Sequence, residues 1–200
     1  MSLESIKPER IIDGVKQSFE NAKLFLEEVY ILNESGKYIH AYALCQLAME
    51  ELSKTLILYQ VLFDKMNNKE INYKKIEENF KNHIVKSEIS ARLELVFLMM
   101  YQNETGDISV NNPIEKCNEF LENISDANKD KNKSLYVTIV DNVFQSPSEF
   151  ITKEKFDKIY SMALKRKTIF EIVIKKTEEN FEGLLKFIAL ENDGFNKTKE

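Results

Sequence analysis

Apolar residues in the first part of the chain recur every three or four positions: Ile12, Val15, Phe19, Ala22, Phe25, Leu26 and Val29. That is the period of one helical face. It predicts a first helix from about Lys7 to Asn33, with Gly36 supplying the stop. A second helix is expected from about Lys37 to Lys65, broken by Asn67-Asn68. A third, from about Tyr73 to Tyr101, is apolar nearly all round through Ile84, Val85, Ile89, Leu93, Leu95, Val96, Phe97 and Leu98. Such a helix belongs in the middle of a bundle.

A polar loop with Gly106 follows, and Asn112-Pro113 reads as a cap with proline at the first helical position. The fourth helix is expected over Pro113 to Asn128. The interval Ser134 to Ser148 is rich in β-branched and aromatic residues, which suggests an extended segment or short strand packed on the bundle. Thr152 can cap the last helix, which runs to about Glu191. The expected fold is all-α: a single domain over residues 1–200, a bundle of about five helices with a short extended segment before the last.

Composition supports helices. Only 5 glycines and 3 prolines occur in 200 residues, too few turn formers for an all-β fold. The formal charge of −5 argues against a general nucleic-acid coat. Two local basic stretches remain candidates for a groove: Lys129, Lys131 and Lys133, and Lys165-Arg166-Lys167 with Lys175-Lys176. Their simpler reading is a polar loop and solvated helix faces. The two cysteines, Cys45 and Cys117, form no C-x-x-C pair, and Cys45 sits among apolar helix positions as a small core residue. The first residues lack a signal-peptide core, and Leu95 to Tyr101 is too short to span a bilayer. A cytoplasmic protein with no membrane contact is expected.

The chemistry-bearing anomaly is Glu50-Glu51-x-x-Lys54 inside the apolar second helix. At 100° per residue, Glu51 falls within about 20–40° of Leu44, Leu47, Leu58 and Leu62, on the face predicted to be buried. A carboxylate there needs a partner. On the third helix Lys86 falls between Leu93 and Phe97, so Glu51 and Lys86 are expected to pair across two antiparallel neighbours. His83 lies one turn from Lys86, and His40 shares the face of Glu51. Glu50 and Lys54 stand four apart in the favourable order for a helical ion pair.

Three readings of this cluster stay open. It can be an ion-pair network that fixes helix register. It can be a catalytic pocket with His83 as general acid or base, and with Lys86 or Lys54 stabilising negative charge beside Glu50 and Glu51. Or Glu50, Glu51 and His83 can hold a metal, although the E-x-x-H motif of helical di-iron bundles is missing and the ligand set is thin. No phosphate-binding, dinucleotide, nucleophile-elbow or H-E-x-x-H motif occurs, so neither cofactor nor metal is expected.

The segment Tyr42 to Lys54, containing Leu47-Ala48-Met49-Glu50-Glu51-Leu52-Ser53-Lys54, resembles the alanine-rich L-A-x-E-E-x-x-K helix of AbiV-type abortive-infection proteins. Phe80-x-x-His83-x-x-Lys86 is similar to that family's next element, and Lys133-Ser-Leu135-Tyr136-Val137 with Ser146-Pro147-Ser148-Glu149 to the one before its last helix. These elements occur in order over roughly residues 40 to 190.

The resemblance implies a HEPN-like bundle and a bacterial phage-defence effector. It further implies a homodimer, triggered by a phage-encoded protein, that arrests growth or translation, with RNA as a possible target. HEPN nucleases carry R-x(4–6)-H, but none of Arg10, Arg92 and Arg166 is followed by histidine at that spacing. RNA cleavage would then rest on His83 with Glu51, Lys54 and Lys86. The alternative is a non-catalytic adaptor or antitoxin-like module whose polar cluster is structural.

Overall fold

The computed structural model describes residues 6–67, 69–89, 91, 92, 95, 118, 121, 126 and 128–179. Helix α1 spans Pro8–Glu34 and opens with proline at its start. Its stop is the predicted one. Gly36 adopts φ +72°, its N–H donates to Asn33 O, and the Lys37 N–H donates to Leu32 O. This is the paired closure that only a left-handed residue after the C-cap allows.

Helix α2 spans Tyr38–Met66 and packs along α1, α7 and α3. Three clusters of buried side chains mark the seam among α1, α2 and α7. At one end Leu26 and Val29 meet Ala41, Tyr42, Cys45, Met49, Phe156 and Ile159. In the middle Phe19 and Ala22 meet Leu52 and Phe170. At the other end Ile11 and Val15 meet Leu58, Leu62 and Val173. The order shows α2 antiparallel to α1 and parallel to α7. Ala41, Ala43, Cys45 and Ala48 are all buried, and such small side chains let neighbouring helices approach from several directions at once.

The third predicted helix is two. Helix α3 spans Tyr73–Lys81 and a separate helix, α4, starts at residue 83 and is described through 89, with 91, 92 and 95 also helical. Asn82 makes the break. Its backbone is extended at ψ 110°, and its Oδ1 accepts from the N–H groups of Ile84 and Val85 at 3.0 and 3.3 Å. It therefore ends one helix and caps the next. The apolar run 93–98, which suggested a central helix, lies outside the described residues except for buried Leu95.

The described residues of α5 (118, 121, 126 and 128–133) are helical, and helix is found as far as Lys133, beyond the expected end near Asn128. The Asn112-Pro113 cap and Cys117 lie outside the described residues. The extended segment is a hairpin of β1 (Thr138–Val140) and β2 (Val143–Gln145), paired antiparallel with Ile139 opposite Phe144. A short helix, α6 (Pro147–Phe150), leads to α7 (Lys153–Glu179). Thr152 caps α7 as expected, its Oγ1 accepting from the Lys155 N–H at 3.2 Å. The predicted continuation to Glu191 lies outside the described residues. Among the described residues the fold is all-α apart from one small hairpin, with more helices than the expected five or so because Asn82 divides one and α6 is added.

Candidate functional site

The buried carboxylate is Glu50, not Glu51. Glu50 is 5% exposed, whereas Glu51 is half-buried beside half-buried Leu44 and Leu47. The prediction took Leu44, Leu47, Leu58 and Leu62 to mark one inner stripe of α2. The helix is instead enclosed on most sides, and Ala43, Gln46, Glu50, Ser53 and Ile57 form an equally buried stripe. Where nearly every face of a helix is apolar, the wheel does not say which one is deepest.

Three donors from two other helices converge on Glu50. Lys86 Nζ of α4 reaches Oε2 at 2.9 Å, and Lys131 Nζ of α5 reaches Oε1 at 2.8 Å. His83 Nδ1, at the first position of α4, lies 2.6 Å from Oε2. Lys131 Nζ also lies 3.3 Å from His83 Nδ1. A carboxylate can only accept, so Nδ1 carries the ring proton and donates to Glu50. Lys131 then cannot donate to Nδ1. Its 2.8 Å bond to Glu50 is the true one, and the 3.3 Å contact is proximity alone.

Burial pushes the Glu50 carboxyl up. The bonds from Lys131, Lys86 and His83 more than offset this and hold it below its ordinary value. The carboxylate and two ammonium groups leave the cluster with one net positive charge besides the imidazole. Both lysine side chains are buried, whereas that of His83 is 50% exposed. Among the described residues nothing bonds Nε2 of His83. The cluster thus offers an oriented imidazole with one ring nitrogen available, in a positive setting. That arrangement can move a proton beside an anionic group.

Of the residues predicted for the site, Glu50, His83 and Lys86 are brought together. Lys54 and Glu51 are not part of that contact set, since Lys54 Nζ donates to Glu51 Oε1 within α2. The expected Glu51–Lys86 and Glu50–Lys54 pairs are therefore replaced by Glu50–Lys86 and Glu51–Lys54. His40 is exposed and joins none of these bonds. Lys131 is the residue that pairing logic missed. Its only signal was its place in the stretch Lys129 to Lys133, and 81 positions separate it from Glu50.

Among the described residues, several side chains of the two basic stretches are already engaged. Lys129 bonds Asp126, Lys131 is buried on Glu50, and Lys167 bonds Glu171. Arg166 is 2% exposed and donates to Met49 Sδ at 3.0 Å. Among the described residues no three His, Cys, Asp or Glu side chains come together to hold a metal, and both Glu50 oxygens already accept from ammonium groups. No described helix is long and apolar enough to cross a membrane.

No curated protein and no solved structure matches the chain. The family model described as AbiV, a HEPN family, matches residues 10–167. That span takes in α1 through most of α7, and with them Glu50, His83, Lys86 and Lys131. The chain belongs to the AbiV family of HEPN proteins, a membership that implies a role in abortive infection, the defence of a bacterium against phage.

Proposed function

We propose that this protein is an abortive-infection effector, a single-domain homodimer of the cytoplasm that a phage-encoded protein triggers and that arrests growth by stopping translation, with RNA as its substrate. The observation that carries the RNA step is the half-exposed His83 imidazole, its Nδ1 fixed by buried Glu50 and its Nε2 left available beside a positively charged centre. Such a ring is suited to taking the 2′-hydroxyl proton of a ribose. The 2′-oxygen then bonds to phosphorus, the bond to the 5′-oxygen breaks, and that oxygen takes a proton from water. The products are a 2′,3′-cyclic phosphate and a 5′-hydroxyl end. Glu50 serves as the orienting group, in the manner of a carboxylate that fixes a histidine tautomer. Lys86 and Lys131 favour an approaching phosphate through their charge.

A second reading is favoured by a different observation. Both lysines are buried and bonded to Glu50, so the cluster can serve only to lock α2, α4 and α5 in register, in a non-catalytic interaction module. Sequencing RNA ends in phage-challenged cells separates the two. New site-specific ends in cells carrying the wild-type protein, absent with His83→Ala, are the expected result. Growth arrest with intact RNA, unaltered by His83→Ala, would sink the RNA step and leave the defence role to the interaction module.

A further inference from the structure

One ammonium group balances one carboxylate, yet Glu50 holds two. Lys86 Nζ lies 2.9 Å from Oε2 and Lys131 Nζ 2.8 Å from Oε1, and the two lysine side chains are only 5% and 9% exposed. Neighbouring acids do not make up the difference. Glu51 is committed to Lys54, and Asp130, beside Lys131 on α5, is bonded to Lys155 at 2.8 Å. Among the described residues one buried positive charge is therefore surplus. An unbalanced buried ammonium is costly. A neutral donor on α5 would tie that helix to Glu50 without it, so a purely structural cluster gains nothing from the extra charge.

The ring of His83 gives the charge a use. Lys131 Nζ lies 3.3 Å from His83 Nδ1, whose own proton is directed at Glu50 Oε2 at 2.6 Å. A second ring proton can enter only at Nε2, and it spreads positive charge over the whole imidazole, Nδ1 included. Glu50 alone favours that cation, and an ammonium in contact with the ring opposes it. The charged groups around the ring are Glu50 from α2, Lys86 from α4 itself and Lys131 from α5.

We infer that Lys131 is a positioning residue for His83: its ammonium keeps the imidazole neutral against the pull of Glu50, so that Nε2 retains a lone pair for an incoming hydroxyl proton. An imidazolium has no lone pair to offer, and a ring protonated in advance cannot act as a base. The proton taken at Nε2 passes on to water, which returns the ring to its starting state. Because Lys131 stands 48 positions from His83 on another helix, the ring is set only while α5 is docked. The inference rests on the general-base reading above for its purpose, but the charge of the ring can be measured without RNA.

Imidazole nitrogen shifts of the 15N-labelled full chain, followed from about pH 5 to 8, test this. The chain has two histidines, so His83→Ala assigns the signals, and exposed His40 is an internal reference. At a pH within the titration, Lys131→Met should raise the ratio of protonated to neutral His83 about tenfold or more over wild type. The variant keeps one carboxylate against one ammonium, and circular dichroism should show it folded. Lys131→Gln retains an N–H donor without the charge and should give the same rise. It decides the matter if the methionine variant fails to fold. A ratio unchanged in the folded Lys131 variants, or a rise that His40 shares equally, would overturn the inference even if RNA is cut. The expected rise, with no new RNA ends in phage-challenged cells, would leave the role of Lys131 in setting the ring intact and remove the RNA step alone.

Discussion

His83 Nδ1 meets Glu50 Oε2 at 2.6 Å across 33 positions of sequence, from the exposed start of α4 to the buried middle of α2. The contact joins a group that water reaches to one that it does not. Glu50 needs donors because it is buried, and His83 needs an acceptor to fix its tautomer. Lys86 and Lys131 supply the compensating charge, so three helices are tied at a single carboxylate.

Glu50→Gln should therefore destabilise the protein strongly, by about 3–5 kcal/mol, because it leaves two buried ammonium groups without a counter-ion. That corresponds to a fall in Tm of roughly 6–20 °C for a chain of this size. Glu51→Gln removes only the i,i+3 partner of Lys54 on a half-buried surface and should cost less than about 1 kcal/mol. Thermal melts of the two variants check this directly. Equal losses would mean that Glu50 is not the carboxylate that holds the bundle.

The pH dependence follows from the same contacts. The folded Glu50 carboxyl lies below its ordinary value, so its contribution is fully present above the unfolded value of about 4.3. It is lost as pH falls through the folded one. Urea titrations of wild type and Glu50→Gln should show a gap that is constant from pH 7 down to about 5 and narrows below about 4. A gap that widens on acidification would contradict the assignment.

Much of this was legible in the sequence, and the limits have physical causes. The period of Ile12, Val15, Phe19 and Val29 set α1, and Gly36 its end, because both signals are local. The E-E-x-x-K motif and Phe80-x-x-His83-x-x-Lys86 marked the right pair of segments. Choosing Glu51 over Glu50 failed because α2 is enclosed on most sides, so two stripes competed. Asn82 was hidden because Ile84, Val85 and Ile89 keep a helical spacing that reads through it. Lys131 could not be found by local spacing at all. Its partner is set by tertiary packing.

Cys45 offers a check on the packing of α2 itself. Burial pushes its thiol up to about 12, so the reactive thiolate is scarce near neutral pH. Alkylation of the native protein at pH 8, mapped by mass spectrometry, should leave Cys45 unmodified, and labelling should appear only in denaturant. Ready labelling of the folded chain would show that the seam of Leu26, Val29 and Phe156 around it is open.

Asp141 and Asn142 both have positive φ, 51° and 63°, which two-residue hairpin loops of mirror-image type require. Asn and Asp tolerate that region and a β-branched residue does not. Asn142→Val should cost the hairpin about 1–2 kcal/mol, read as faster amide exchange of the β1–β2 ladder. Asn142→Gly should leave exchange as slow as in wild type, or slower. Identical exchange in the valine variant would contradict the turn geometry.

Asn82 controls where His83 begins its helix. Its Oδ1 accepts from Ile84 and Val85 N–H, so Asn82→Ala removes the cap and should cost about 0.5–2 kcal/mol. Asn82→Asp keeps an acceptor, and its negative charge at a helix N-terminus is favourable, so it should retain or raise stability. The same change separates stability from site geometry. With the first turn of α4 loosened, His83 Nδ1 no longer has a fixed approach to Glu50, whereas Lys86, one turn further on, is held by its own burial. Imidazole nitrogen shifts should then show a mixture of tautomers in Asn82→Ala and a single Nδ1-protonated form in wild type and Asn82→Asp. A wild-type ring that already populates both tautomers would mean that Glu50 does not orient it, and a cap that changes stability without changing the tautomer would assign the turn a structural role alone.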